Sequence, residues 1–229
     1  MGHIRRLIVF DLDGTLIDSR QDLADSANAL IVERGGEPLP SHAIVAMVGE
    51  GAAVLVRRAL AAARLADDPG SLSRFLELYD ERLLRTTRVY AGIPDVLAEL
   101  SPEGVIAVLT NKPIAPSRTL LDALGLTPLV ETVIGGDGPF PRKPDPASMR
   151  HLIAHHGACA DDTILIGDSR IDLETARAAG THICLARYGF GYEQIRPVDL
   201  TGVEGVASEP GEIPAIVRRL LPNARPISP

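Results

Sequence analysis

Two carboxylates stand two positions apart in Asp11-Leu12-Asp13-Gly14-Thr15. They follow an apolar run, Ile4 to Phe10, that reads as a buried strand, and residues alternating past such a strand point the same way. Like charges at that spacing repel and lose hydration, so the pair persists when a cation neutralises it or one carboxyl keeps its proton. Gly14 permits a tight turn that presents backbone N–H groups to an anion. Alone, the pentapeptide is also compatible with a solvated Asp-Gly turn.

Other polar residues supply what phosphoryl transfer would still need. Thr110 and Asn111 are neutral donors for phosphate oxygens, just ahead of a helix that Pro113 begins. Lys143 lies in a proline-braced loop, Arg142-Lys143-Pro144-Asp145-Pro146, that would aim its ammonium, although a lone lysine also reads as a solvated one. Gly167-Asp168-Ser169 and Asp172 add oxygen ligands of the type magnesium prefers. Each acid has a plainer reading, a helix N-cap for Asp168 and a first-turn acid for Asp172. Their joint occurrence at four strand ends favours a cation-assisted phosphoryl site over turn chemistry. His151, His155 and His156 have no further ligand beside them and read as a polar helix face. No Walker-type phosphate loop occurs in the sequence.

The elements that must position these residues follow from hydropathy. Ile4 to Phe10, Val105 to Leu109, Thr132 to Ile134, Thr163 to Ile166 and His182 to Ala186 are nearly continuous apolar runs, as expected of parallel strands covered by helices on both faces. The fold class is therefore α/β, with ligands beyond the carboxyl ends of the strands. Between Ser19 and Arg88 the pattern turns helical, with Leu23, Ala27, Leu30 and Ile31, then Val54, Leu55, Ala59 and Leu60, then Leu72, Phe75, Leu76, Tyr79 and Leu83. This predicts a helical domain over 18–89 inserted into a core of 1–17 and 90–229, with the return marked by Tyr90-Ala91-Gly92-Ile93-Pro94. The tail from Thr201 is richer in Gly, Pro and Ser and is expected to pack loosely, with a terminal helix over Ile213 to Leu221.

Composition narrows the partners. Lys and Arg number 23 against 30 Asp and Glu, a formal charge of −7 that argues against nucleic-acid and anionic-membrane surfaces. No apolar run is long enough to cross a bilayer and no signal peptide is apparent, so a cytoplasmic address is expected. Cys159 and Cys184 are expected to be buried, reduced thiols.

Asp11 to Ser19, Thr110-Asn111-Lys112-Pro113, Lys143-Pro144-Asp145-Pro146 and Gly167-Asp168-Ser169 with Asp172 resemble the four ordered motifs of the haloacid dehalogenase superfamily. Within it, Val48-Gly49-Glu50-Gly51-Ala52, the Tyr90 return, Ile134-Gly135-Gly136-Asp137 and Tyr188-Gly189-Phe190-Gly191 are similar to phosphoglycolate phosphatases. The resemblance implies a Rossmann-like core with a small α-helical cap. It implies a magnesium-dependent phosphatase for a small phosphoester, with Asp11 as nucleophile and Asp13 as acid and base. Lys143 and Thr110 would hold phosphate oxygens, with Gly14 and Asn111 beside them. Mg2+ would sit on Asp11, Asp168 and the Asp13 carbonyl, and Asp172 would stand behind it or orient Lys143. Dehalogenases of the superfamily lack the second acid, so Asp13 points to phosphate rather than halide. Gly49-Glu50-Gly51 is the expected substrate turn of the cap, against the alternative of a plain connector. A monomer or homodimer acting on 2-phosphoglycolate is the leading expectation. Nucleoside monophosphates, pyrophosphate or sugar phosphates are alternatives, a sugar phosphomutase is disfavoured, and a non-catalytic binding module is the reading from another class.

Overall fold

The apolar run before Asp11 forms β1 (Arg6–Phe10), buried along its whole length. Ile4 and Arg5 of that run lie outside residues 6–222, which are those the computed structural model describes. After the Asp11 turn the chain forms a short strand, β2 (Ile17–Asp18), and then the helices α1 (Arg20–Glu33), α2 (Ser41–Val45), α3 (Ala52–Ala62) and α4 (Ser71–Asp80). It returns through β3 (Arg88–Val89) to α5 (Ile93–Leu100), β4 (Gly104–Leu109), α6 (Ile114–Ala123), β5 (Thr132–Ile134) and α7 (Ala147–His156). The remaining elements are β6 (Thr163–Gly167), α8 (Arg170–Ala179), β7 (His182–Ala186), β8 (Gly205–Ala207) and α9 (Ile213–Leu220).

Among the described residues the main sheet has the order β5-β4-β1-β6-β7-β8, and every pairing in it is parallel. Phe10 lies opposite Val108 on one side and Ile166 on the other, so β1, β4 and β6 finish level. Asp11, Thr110 and Asp168, each one or two residues further on, therefore reach one rim. Side chains alternate across the sheet, with Ile8, Phe10, Ile106, Val108, Ile164 and Ile166 on one face. Leu7, Val9, Val105, Ala107 and Leu165 pack on the other against Met149, Leu152 and Leu173. Burial on both faces accounts for the unbroken apolar runs.

Three expectations need correction. The Gly- and Pro-rich tail is not loose over 205–221, because β8 pairs Gly205 with Cys184 and α9 buries Ile213 and Val217, and its last residues, 223–229, lie outside the described ones. Arg6 pins the end of that helix, donating to the Leu221 carbonyl at 2.6 and 3.1 Å and pairing with Glu103 at 2.5 Å. Composition understated this segment because a helix needs only a few apolar residues on one face to pack. The borders of the helical insertion form an antiparallel ribbon, Ile17 opposite Val89 and Asp18 opposite Arg88, too short to carry a periodic signal. Cys184 is buried but Cys159 is exposed, its thiol donating to Asp162 at 2.9 Å. His151 and His155 are exposed as expected, whereas His156 is tucked in with Nε2 3.0 Å from Thr132 Oγ1.

Candidate active site

The floor of the site is built at the ends of β1 and β6. Asp11 Oδ1 accepts the Leu12 backbone N–H at 2.7 Å and lies 2.9 Å from Lys143 Nζ. Lys143 Nζ also donates to Asp172 Oδ1 at 2.6 Å, and the two ion pairs bury the ammonium almost completely. Burial alone would lower its pKa, but Asp11 and Asp172 outweigh that and keep it charged. Asp172 is fixed in turn: its Oδ2 accepts Ser169 Oγ at 2.6 Å and Ser169 N at 3.1 Å in the capping box that starts α8. The first-turn acid and the residue orienting Lys143 are thus one and the same.

Asp168 sits in a cradle made by glycines. The Gly191 N–H donates to its Oδ2 at 2.7 Å. Gly14, at φ +84°, comes so close that a Cβ there would lie 2.0 Å from that oxygen, and a Cβ on Gly189 would lie 2.3 Å from the Asp168 Cβ. The Gly14 N–H is spent on Ile17 O at 2.9 Å. Expected to face phosphate, Gly14 instead makes room for a carboxylate. Asn111 is redirected in the same way, since its Nδ2 donates to Gly49 O and Lys143 O, both at 2.9 Å. Its two amide hydrogens tie the lysine loop to the helical insertion and leave none for phosphate. Thr110 Oγ1 accepts the Lys112 N–H at 3.2 Å, which leaves its own proton able to donate.

Asp13 faces the same cavity with partners that sequence reasoning missed. Ser19 Oγ donates to its Oδ1 at 2.5 Å, and Lys112 Nζ lies 3.1 and 3.0 Å from its two oxygens. Lys112 belongs to the quoted Thr110–Pro113 segment, and the signal available was a cation following two donors at a strand end. The cavity floor is Asp11, Asp13, Thr110, Asn111, Lys112 and Asp168. Leu55, Phe75, Leu76 and Tyr79 of the insertion line its walls, together with Gly49 and Gly51. Glu50, expected to contact substrate, is not among the lining residues. It pairs with Arg58 at 2.6 Å in a half-exposed position.

Asp11, Asp168 and Asp172 each offer an oxygen within 4.8 Å of the other two. Burial, chiefly, pushes the Asp11 carboxyl up to about 7, against the opposing pull of Lys143. Asp168 is driven well above the usual range by burial and then by the charges of Asp172 and Asp11. Three buried carboxylates facing one ammonium leave excess negative charge, which a cation would neutralise. Hard oxygen donors suit magnesium. The bonds described above use Oδ1 of Asp11, Oδ2 of Asp168 and both oxygens of Asp172. The open oxygens belong to Asp11 and Asp168, which are the side chains placed to hold such an ion.

The profile of the haloacid dehalogenase-like hydrolases matches residues 8–186. The phosphoglycolate phosphatase of Rhodospirillum rubrum is 41% identical over 199 residues, 83% of each chain. That of Cereibacter sphaeroides is 37% identical over 220 residues, 93% of this chain and 98% of the other. A crystal structure of a predicted phosphoglycolate phosphatase from Haemophilus somnus superposes with a TM-score of 0.85 at 28% identity, covering 93% of this chain and 97% of its own. The motif spacing, the parallel sheet with its helical insertion, and these similarities place the chain in the haloacid dehalogenase-like hydrolase family.

Proposed function

We propose that this chain is a magnesium-dependent phosphatase that converts 2-phosphoglycolate to glycolate and phosphate through a phosphoryl group carried on Asp11. The observation that carries the reading is the placement of two carboxylates, Asp11 and Asp13, on one cavity with different partners. Asp11 bonds to phosphorus as the bond from phosphorus to the bridging oxygen breaks, and Asp13 delivers a proton to the departing alkoxide. Asp13 then takes a proton from the water that attacks the acyl phosphate, which frees Asp11. Lys143 and Thr110 hold the phosphoryl oxygens where charge builds up. Asp11 and Asp168, with the Asp13 carbonyl, would hold magnesium, which when bound neutralises charge on the phosphoryl group. Residues 18–89 act as the cap, hinged at the ribbon of β2 and β3, and exclude water when closed.

The relatives named above support 2-phosphoglycolate over the other phosphoesters. Phosphate release from a panel of 2-phosphoglycolate, a nucleoside monophosphate, pyrophosphate and a sugar phosphate tests this. The expected result is a kcat/KM for 2-phosphoglycolate at least roughly tenfold above the rest, lost on chelation with EDTA. Preference for another compound overturns the substrate, and no release from any overturns the reaction.

A further inference from the structure

Lys112 is a buried cation that the hydrolytic steps above leave without a task. Its backbone is fixed on both sides, with its N–H donated to Thr110 Oγ1 at 3.2 Å and its carbonyl accepting Gly136 N–H at 2.8 Å. Only the side chain is free to turn, and its ammonium stands where three surfaces meet. It lies 3.0 Å from Asp13 Oδ2 and 4.5 Å from the centre of the Tyr79 ring, which the cap helix α4 provides. The ring offers its negative face, so the ammonium is held from the cap side without a competing acid. It also lines the cavity, and no other Lys, Arg or His does so among the described residues. The cap wall around it is apolar: Leu55, Phe75 and Leu76.

That distribution constrains the leaving group. A second anionic group entering this cavity would meet Asp11, Asp13 and Asp168 on the floor and a largely hydrocarbon wall, and Lys112 is the one lining cation among the described residues able to pair with it, beside a Tyr79 hydroxyl that has no hydrogen-bond partner there. Asp13 must touch the bridging oxygen, and in a phosphorylated 2-hydroxy acid the carboxylate begins two bonds beyond that oxygen. Lys112 is one hydrogen bond from Asp13, so an acid at that position falls within its reach.

We propose that Lys112 sets the specificity of the site by taking the carboxylate of a short phosphorylated 2-hydroxy acid, exchanging an Asp13 oxygen for a substrate oxygen while keeping the Tyr79 face. This deepens the phosphatase reading and rests on it. The class selected is a leaving group with its own negative charge next to the ester carbon, in preference to a neutral alcohol of equal size.

The test compares 2-phosphoglycolate with 2-hydroxyethyl phosphate, in which a neutral CH2OH replaces the carboxylate, for the wild type, Lys112→Met and Lys112→Arg with magnesium. Losing a charge-assisted bond predicts that the ratio of kcat/KM for the two substrates falls roughly 10- to 100-fold in Lys112→Met. Most of the change is expected in KM, with part of the ratio regained in Lys112→Arg. Glycolate is expected to inhibit the wild type more strongly than Lys112→Met. Equal losses on both substrates mean that Lys112 serves only Asp13, and no loss on either means that it serves neither; both overturn the proposal. If Lys112→Met does not fold, Lys112→Gln gives the same ratio. A wild type with no preference for the acid overturns the substrate assigned above, whatever the variants do.

Discussion

Ionised carboxylates buried side by side need a neutralising partner, and of the cluster Asp11, Asp168 and Asp172 only Asp11 and Asp172 pair, among the described residues, with an ammonium, that of Lys143. The position of Asp168 depends on the absence of a side chain at Gly14. Gly14→Ala would set a Cβ 2.0 Å from the Asp168 carboxylate on a backbone at φ +84°, so the acid must move. The expected outcome is a loss of at least about 100-fold in kcat, in line with removing an electrostatic group from a reacting centre. Circular dichroism should remain that of a folded protein, and magnesium should raise the melting temperature less than in the wild type. Unchanged kcat would mean that Asp168 needs no such cradle. At this scale the motif residues were legible because acids, hydroxyls and a lysine at strand ends are costly unless used. Lys112 and Ser19 were not singled out, since their value comes from Asp13, a partner far away in sequence for Lys112 and visible only once the chain is folded. The spent hydrogens of Gly14 and Asn111 were likewise hidden, because a donor's partner depends on turn geometry.

At the level of elements, one acid ties the first helix of the insertion to the turn that leads into its return strand. Asp22, buried on α1, accepts Thr86 N and Oγ1 at 3.0 and 2.6 Å and Thr87 N and Oγ1 at 2.9 and 2.7 Å. Burial favours the neutral acid, but these four donors outweigh it and hold the carboxyl below its ordinary range. Because the folded value lies below that of the unfolded chain, about 3.9, the contribution is full above that pH and disappears as pH falls through the folded value. Asp22→Asn is therefore expected to destabilise the protein by about 2 kcal/mol at neutral pH in urea unfolding. The gap should close as the pH drops below about 4. A gap constant down to acid pH would contradict a role for the charge. Sequence periodicity revealed α1, α3 and α4 because each has an apolar stripe of at least two turns. The β2–β3 ribbon escaped it, for two-residue strands have no period.

Across the whole molecule, the chain gathers groups from distant segments at one rim because a parallel sheet brings its carboxyl ends level. That convergence was legible from five apolar runs and the residues following them. The sixth strand was not, and although the terminal helix expected over Ile213 to Leu221 is present as α9, its firm packing was hidden, as a Gly- and Pro-rich segment reveals its packing only through partners such as Arg6 and Glu103. The fold thereby brings the Asp11 carboxylate to the rim where the proposed reaction has it carry the phosphoryl group. The direct measurement is acid quench of a single turnover with radiolabelled 2-phosphoglycolate and magnesium, followed by peptide mapping of the protein-bound label. Label on the peptide that holds Asp11, released by hydroxylamine, and its absence with Asp11→Asn together with activity near background, is the predicted result. Label on a different residue, or turnover by Asp11→Asn close to that of the wild type, would contradict it.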